Sequence, residues 1–156
     1  MKAKKGEGYI SVCILIITIC IILSVFITFA SCVNIVRLVK RNTKTVLENY
    51  VTDTSIKIFN SIKQGSNDLD SLDAYSFTSV LKDYCTFEKS SGYMYHKDAD
   101  GNVDYYVSAP HIGYTEKGKL RLYAEYTLYV PICFDSVKIA TAEIPIKVYV
   151  DLDEKY

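Results

Sequence analysis

Acidic and amide side chains concentrate at one place in the chain, the stretch 98–104, which reads Asp-Ala-Asp-Gly-Asn-Val-Asp. Alternating Asp and Asn oxygens are hard ligands of the kind that Ca²⁺ takes. If Asp98 were the first position of an EF-hand loop, Val103 would stand where glycine is needed, and Ala109 where a bidentate glutamate is needed. Asp-Gly-Asn is also a common turn sequence. The pattern therefore favours a plain hairpin turn over a weak ion site.

Motifs for other chemistry are missing from the sequence. His96 and His111 are the only histidines, and neither has a Cys, Asp or Glu at a shared metal-ligand spacing. No glycine-rich phosphate loop, nucleophile elbow or zinc-type cysteine pair occurs. The chain has 18 basic and 18 acidic residues, which does not suit an overall basic nucleic-acid binder. We predict a non-enzymatic protein with no metal, no cofactor and no nucleic-acid partner, and an enzyme remains the minor alternative.

The balanced charge hides two different parts. Residues 1–63 carry nine basic and three acidic side chains, a net charge of +6, whereas residues 64–156 carry nine basic and fifteen acidic ones, a net charge of −6. The twenty-nine residues between Glu7 and Arg37 have no charge and are dominated by Ile, Leu, Val and Phe. Such a run predicts a transmembrane helix, and its length of roughly 43 Å exceeds the hydrocarbon core of about 30 Å. The helix should tilt or emerge at one side.

Two alternatives compete with a permanent span. Lys2, Lys4 and Lys5 precede the apolar run as they would in a cleaved secretory signal, although the run is about twice as long as such signals need. The residues before Cys32 also look like a loose lipobox, in which that cysteine would be lipidated. Neither explains the apolar and then basic helix that continues to Lys40.

Flanking charges do not decide the orientation, because three lysines precede the span and four basic residues follow it. Only two cysteines, Cys85 and Cys133, lie beyond the span and its flank. A single pair suits a disulfide in an oxidising exterior, and two unlinked buried thiols are the other reading. We favour an extracytoplasmic C-terminal part.

Beyond Arg41 the apolar spacing becomes three and four, at Leu47, Tyr50, Val51, Thr54, Ile58 and Ile62, which predicts an amphipathic continuation of the helix up to a break at Gln64-Gly65. Asp73 or Ser76 would cap a short helix from about Tyr75 to Tyr84, with Phe77, Val80 and Leu81 on its apolar side.

The period then becomes two, which predicts strands. The clearest strand runs from Lys119 to Val130 with its even positions apolar, and a second runs from Lys138 to Val150, where Pro145 suggests an edge position. Residues 92–96 and 103–108 form another predicted pair. Seven of the fourteen tyrosines lie on this pair and on the strand from Lys119, at positions 93, 95, 105, 106, 123, 126 and 129. Cross-strand packing is the simpler reading of them, and an adhesive or assembly face is the alternative.

These elements predict an α+β fold, in which a long N-terminal transmembrane and amphipathic helix packs on a small four-stranded antiparallel sheet. The predicted organisation is a basic leader at 1–8, a transmembrane helix at 9–36, its amphipathic continuation at 37–64 and a β-rich extracytoplasmic head at 65–156.

This layout resembles the type IV pilins and pseudopilins. The start Lys5-Gly6-Glu7-Gly8-Tyr9-Ile10, together with the two closing strands, is similar to TadE-like pseudopilins of tight-adherence (Flp-type) systems or to related small membrane proteins of Gram-positive bacteria. The resemblance implies peptidase cleavage of a leader near Gly6, Glu7 and Gly8. In that family, the fifth residue of the mature chain is a glutamate. Here the fifth residue would be Ser11 after cleavage at Gly6 or Cys13 after cleavage at Gly8, which favours a minor or accessory subunit.

We therefore expect a single-pass protein of the bacterial cell membrane that acts as a structural component of a pilus or secretion apparatus. Its partners would be the lipid bilayer, other pilin-like subunits and, as a possibility, further copies of itself. Small and weakly polar side chains suited to helix association in lipid occur at Ser11, Thr18, Ser24, Thr28 and Ser31. The alternative is an anchored extracytoplasmic binding or sensor module, in which the helix is only a tether.

Overall fold

The computed structural model describes the backbone of residues 5–64, 74–115, 121–134 and 137–151. It describes side chains at 9–54, 75–115, 121–133 and 138–151. The chain divides into two compact units, Met1–Ile35 and Val36–Tyr156. The elements in chain order are α1 Lys5–Gln64, α2 Ala74–Cys85, β1 Glu88–Ser90, β2 Tyr93–Lys97, β3 Val103–Ser108, β4 His111–Thr115, β5 Arg121–Phe134 and β6 Val137–Asp151. One long helix with an antiparallel sheet makes this an α+β fold, as predicted.

In the first unit, helix α1 carries large apolar side chains that are exposed. Every large apolar side chain from Tyr9 to Phe29 exposes between 48% and 77% of its surface. A buried helix of a soluble core would hide one face at least, and this one hides none. By its length and apolar composition the helix is a candidate membrane span, as predicted.

In the second unit, α1 buries a stripe that belongs to the core. The stripe consists of Val39, Thr43, Val46, Leu47, Tyr50 and Val51. The spacing by three and four confirms the predicted amphipathic pattern, although the buried stripe begins two turns earlier than Leu47. Helix α1 ends at Gln64, where the break was predicted. The predicted contacts of Ile58 and Ile62 lie outside the described side chains.

Helix α2 agrees with its predicted range to within one residue at each end. Phe77, Leu81 and Cys85 are buried, whereas Val80 is 42% exposed, so its placement on the apolar side was wrong. The buried residues follow a spacing of four, and Val80 lies about 100° from the middle of that stripe. Ser76 lies inside the helix and does not cap it. Asp73, the other predicted cap, lies outside the described residues.

All strand pairs in the sheet are antiparallel. Six strands were found in the described chain where four were predicted, because β1 and β4 were missed. Strands β3 and β4 lie end to end along the same edge of β5. Val107 faces Leu128 and His111 faces Glu125, so three residues on one side oppose two on the other. This bulge bends the strand at Ala109-Pro110 and explains why the alternation could not be read through it.

The closing hairpin of β5 and β6 has the predicted alternation. Leu122, Ala124, Tyr126, Leu128 and Val130 are buried on β5, and the residues between them are not. The sheet therefore directs one face to the core formed with α1 and α2 and the other to solvent.

Pro145 lies on an edge strand, as predicted, since among the described strands β6 pairs with β5 alone. It faces Thr127, whose N–H points to the opposite side and donates to the Ser108 hydroxyl at 2.9 Å. The Thr127 and Pro145 pair is therefore not hydrogen-bonded, and the proline lacks its N–H on the open edge. A proline there prevents a further strand from adding in register.

Candidate interaction surfaces

The hydroxyl groups on the apolar helix bond to their own backbone. Thr18 donates to the Ile14 carbonyl at 2.9 Å, and Thr28 donates to the Ser24 carbonyl at 3.0 Å. Such back-bonding satisfies the hydroxyl hydrogen in an apolar medium and leaves the oxygen able to accept. A neighbouring helix is thus not needed to satisfy these two donors. For helix association, the two threonines would therefore offer small side chains and a hydroxyl oxygen that can still accept a hydrogen bond.

The helix separates the five predicted assembly residues onto two faces. Ser24, Thr28 and Ser31 lie within an arc of about 60°, at 100° per residue. Ser11 and Thr18 lie roughly 80–160° away from them. Two further small side chains, those of Cys13 and Cys20, lie on the first face and extend it towards the N-terminus. From Cys13 to Ser31 this face therefore consists of small side chains with one large residue, Ile17, among them. We call this the small-residue face. Gly6, Glu7 and Gly8 are helical, and their cleavage stays a prediction.

The solvent face of the sheet carries a row of tyrosines. Cross-strand pairing places Tyr95 opposite Tyr106, and Tyr106 opposite Tyr129. The rings of Tyr95 and Tyr106 stack at 5.2 Å, and those of Tyr106 and Tyr129 at 4.8 Å. Tyr93 contacts the row from the side, with its ring centroid 5.7 Å from that of Tyr129. These four residues form what we call the tyrosine row, which confirms cross-strand packing.

Carboxylates end the tyrosine row at both sides of the sheet. Glu88 on β1 faces Tyr95, and Glu143 on β6 faces Tyr129. Glu88 is neutralised by Lys97 at 2.6 Å, whereas Glu143 has no ion pair among the described residues. Burial raises the pKa of Tyr129, and the charge of Glu143 contributes in the same direction. Because neighbouring rings cover most of the ring faces, the row presents ring edges and hydroxyl groups to a partner.

A second aromatic cluster lies further along the solvent face. Gly113 faces Tyr123, and the ring covers the space that a Cβ atom would take. The Lys147 ammonium lies 4.1 Å from the centre of that ring and 2.6 Å from the Glu125 carboxylate. The hydrogen bond between them lowers the pKa of Glu125 and raises that of Lys147. The charges of Lys147 and Glu125 cancel each other. We interpret the cluster as a cross-strand contact that stabilises the pairing of β4, β5 and β6.

The core contains a polar connection between helix and sheet. Thr43, 1% exposed, donates to the Val39 carbonyl at 2.8 Å, so the hydrogen bond between Thr43 and Tyr126 has the tyrosine hydroxyl as its donor. Burial raises the pKa of Tyr126 and of Tyr105 well above the usual tyrosine range. These hydroxyl groups stay protonated, which suits a structural contact and not proton transfer.

Cys85 and Cys133 are both free, and the alternative of two unlinked buried thiols holds only for Cys85. Cys85 is buried at the end of α2, whereas Cys133 is exposed near the tip of the β5 and β6 hairpin. Burial raises the pKa of the Cys85 thiol to about 11, against a hydrogen bond with Asn42 that lowers it. Such a thiol is unreactive at neutral pH. The inference of an oxidising exterior from a disulfide therefore loses its basis.

The stretch beginning at Asp98 is a hairpin turn. The Asp98 carboxylate accepts from the N–H groups of Asp100 and Asn102, at 3.0 Å and 2.8 Å. Gly101 has a φ of +84°, which favours glycine. An oxygen used this way is committed to the turn. Within the described ranges, no group of three or more His, Cys, Asp or Glu side chains is placed to hold a metal ion.

Both histidines have structural surroundings. The His96 ring stacks on Tyr105 at 4.7 Å, and its Nδ1 atom lies 3.8 Å from the Asp104 carboxylate. His111 Nδ1 lies 2.9 Å from the Ile112 carbonyl.

An open groove of about 380 Å³ is lined by Lys44, Glu48, Arg121, Tyr149, Val150 and Asp151. Its charges are paired, Lys44 with Glu48 at 3.7 Å and Arg121 with Asp151 at 2.5 Å. A groove whose ions already neutralise each other offers no net charge to hold an ionic ligand.

In comparisons with known proteins, the chain matches no protein-family model, no curated protein and no solved structure. The likeness to TadE-like pseudopilins therefore stays a prediction from the sequence motifs and the layout. Among the described residues, the apolar helix with its small-residue face and the tyrosine row are the surfaces on which the functional proposals below are based.

Proposed function

We propose that this chain is a single-pass membrane protein that serves as a non-enzymatic, pseudopilin-like structural component of a bacterial pilus or secretion apparatus. The observation that carries the proposal is helix α1, whose apolar side chains from Tyr9 to Phe29 are all exposed while its later part forms the core of the head. A helix that only anchored the head would not need its small side chains to lie on one face. In α1 they do, on the small-residue face. Assembly through that face in lipid is the proposed role.

The test is disulfide crosslinking in the native membrane, in a chain whose own cysteines are replaced by alanine. Single cysteines at Ser24 and at Ser31 should crosslink copies or partner subunits on mild oxidation. Single cysteines at Ile22 and at Phe29 have the same separation of seven residues and lie about 140–180° away, so they should crosslink weakly. Equal crosslinking at all four positions, or none at any, contradicts assembly through this face.

The tyrosine row supports a second candidate, an anchored binding module whose sheet recognises a ligand. Replacing residues 9–36 with an unrelated apolar span separates the two proposals. A tether tolerates the exchange, whereas an assembly helix loses its partners and the apparatus loses function. If the replaced span is tolerated and a variant carrying Ala at positions 95, 106 and 129 is inactive, the binding module replaces the assembly proposal.

Placement of the head outside the cytoplasm is part of the proposal, and Cys133 offers a natural probe of it because its side chain is exposed. A membrane-impermeant maleimide should label Cys133 in intact cells, with Cys133→Ser as the control. Labelling that requires permeabilised cells places the head inside and contradicts this orientation.

A further inference from the structure

We propose that Arg37, Lys40, Arg41 and Lys44 form a cationic stripe that binds the phosphate headgroups of anionic phospholipids. The four residues are spaced by three, four and seven along α1, so their Cα atoms lie within an arc of about 100° on one side of the helix. All four side chains are exposed. The stripe is about 10 Å long, two helical turns.

Three of the four charges of this stripe are not compensated by an ion pair among the described residues. Among the described residues, Arg37, Lys40 and Arg41 make no ion pair, and Lys44 has only Glu48 at 3.7 Å, with both side chains exposed. After Glu7, the next acidic residue in the sequence is Glu48. No ion pair among the described residues neutralises Arg37, Lys40 or Arg41, so an anion outside the chain can do so.

The stripe is separate from the residues that hold the head together. The core positions of the same helix segment are Val39, Thr43 and Val46, which are buried. The four cations lie on the neighbouring, exposed side of the helix, so core packing does not explain them. Three or four like charges within two turns repel one another in the isolated helix. A partner that neutralises them removes that cost.

Position in the sequence identifies the partner. The uncharged run of the candidate span ends at Val36, and Arg37 follows it directly. A helix that leaves the hydrocarbon meets the headgroup layer, several ångströms thick, and long basic side chains reach back into it. Each Lys or Arg close to an anionic surface favours association about fivefold. The inference rests on the membrane anchoring within the proposed function and not on assembly.

The experiment compares full-length protein in nanodiscs of phosphatidylcholine that contain a minority of phosphatidylglycerol. Spin-labelled versions of the two lipids report the ratio of their association constants at the protein surface. The test variant combines Arg37→Gln, Lys40→Gln and Arg41→Gln, which keep chain length and helix propensity. The matched control combines Lys82→Gln, Lys89→Gln and Lys138→Gln, three exposed lysines of the head with no ion pair in the described chain.

We expect the wild type and the control to prefer phosphatidylglycerol, and the test variant to lose at least about fivefold of that preference. High salt should abolish the preference in all three proteins. An unchanged preference in the test variant, or an equal loss in the control, overturns the cationic stripe while leaving anchoring intact. A wild-type chain that does not enter nanodiscs overturns the anchoring as well. Oligomeric state, measured in the same discs, reports separately on assembly.

Discussion

The buried hydrogen bond between Thr43 and Tyr126 joins helix α1 to strand β5, and its two ends should respond differently to mutation. Thr43→Val removes the acceptor and leaves the Tyr126 hydroxyl buried without a partner, which costs about 1–3 kcal/mol of the free energy of unfolding. Tyr126→Phe removes the donor, but Thr43 keeps its own bond to the Val39 carbonyl. We expect that variant to lose about 1 kcal/mol.

The double variant tests the reasoning more sharply than either single change. With valine at 43 and phenylalanine at 126, no unsatisfied donor remains, and the two apolar groups keep nearly the original shapes. Its free energy of unfolding should lie close to that of Tyr126→Phe alone. The coupling free energy between the two sites is then about 1 kcal/mol or more.

Unfolding is measured by denaturant titration of the full-length chain in detergent micelles, followed by the near-ultraviolet circular dichroism of the tyrosines. Thr45→Val is the matched control, because its hydroxyl also donates to a carbonyl of α1, that of Arg41 at 3.2 Å, but near the surface. It should change stability by less than about 0.5 kcal/mol. Equal losses for the two single variants, with a double variant equal to their sum, would refute the buried donor as the cause.

Three further outcomes are expected. Burial raises the pKa of Cys85 from 9.0 to about 11, so the contribution of this thiol to stability is fully present below pH 9 and is lost as the pH rises towards 11. The free energy of unfolding of Cys85→Ala, measured against pH, should therefore not show the decrease that begins near pH 9 in the wild type. In native protein, a thiol reagent should modify Cys133 and spare Cys85 until the head unfolds, so equal rates would contradict the burial. Gly113→Ala should displace the Tyr123 ring from its place over the glycine and cost about 0.5–1.5 kcal/mol, and Tyr123→Ala should relieve that loss in the double variant.

The hydropathy of the sequence and the spacing of its apolar residues were sufficient to predict the largest elements of the fold. An uncharged run of twenty-nine residues predicted a helix long and apolar enough to span a membrane, and the strict alternation from Leu122 to Val130 assigned one face of β5 to the core. The proline at 145 indicated an edge strand because it lacks an N–H group. These signals are local, so they were readable without knowing the neighbours.

Strands β1 and β4 were missed for a physical reason. Strand β1 is only three residues long and fully exposed, so it has no apolar alternation to detect. Strand β4 follows a bulge that shifts the register by one residue and therefore interrupts the alternation. The placement of Val80 failed similarly, because a helix of twelve residues can rotate by a fraction of a turn to suit its neighbours.

Contacts between residues that are distant in the sequence are determined by the pairing of the strands in the folded protein. Tyr95, Tyr106 and Tyr129 stand far apart along the chain, and strand register alone brings their rings into one row. Cys85 and Cys133 looked like a pair, yet one is buried under α1 and the other lies exposed on a hairpin. Element type depends on residues near each other in the chain, whereas a contact depends on register and packing across many elements at once, and no local pattern encodes that.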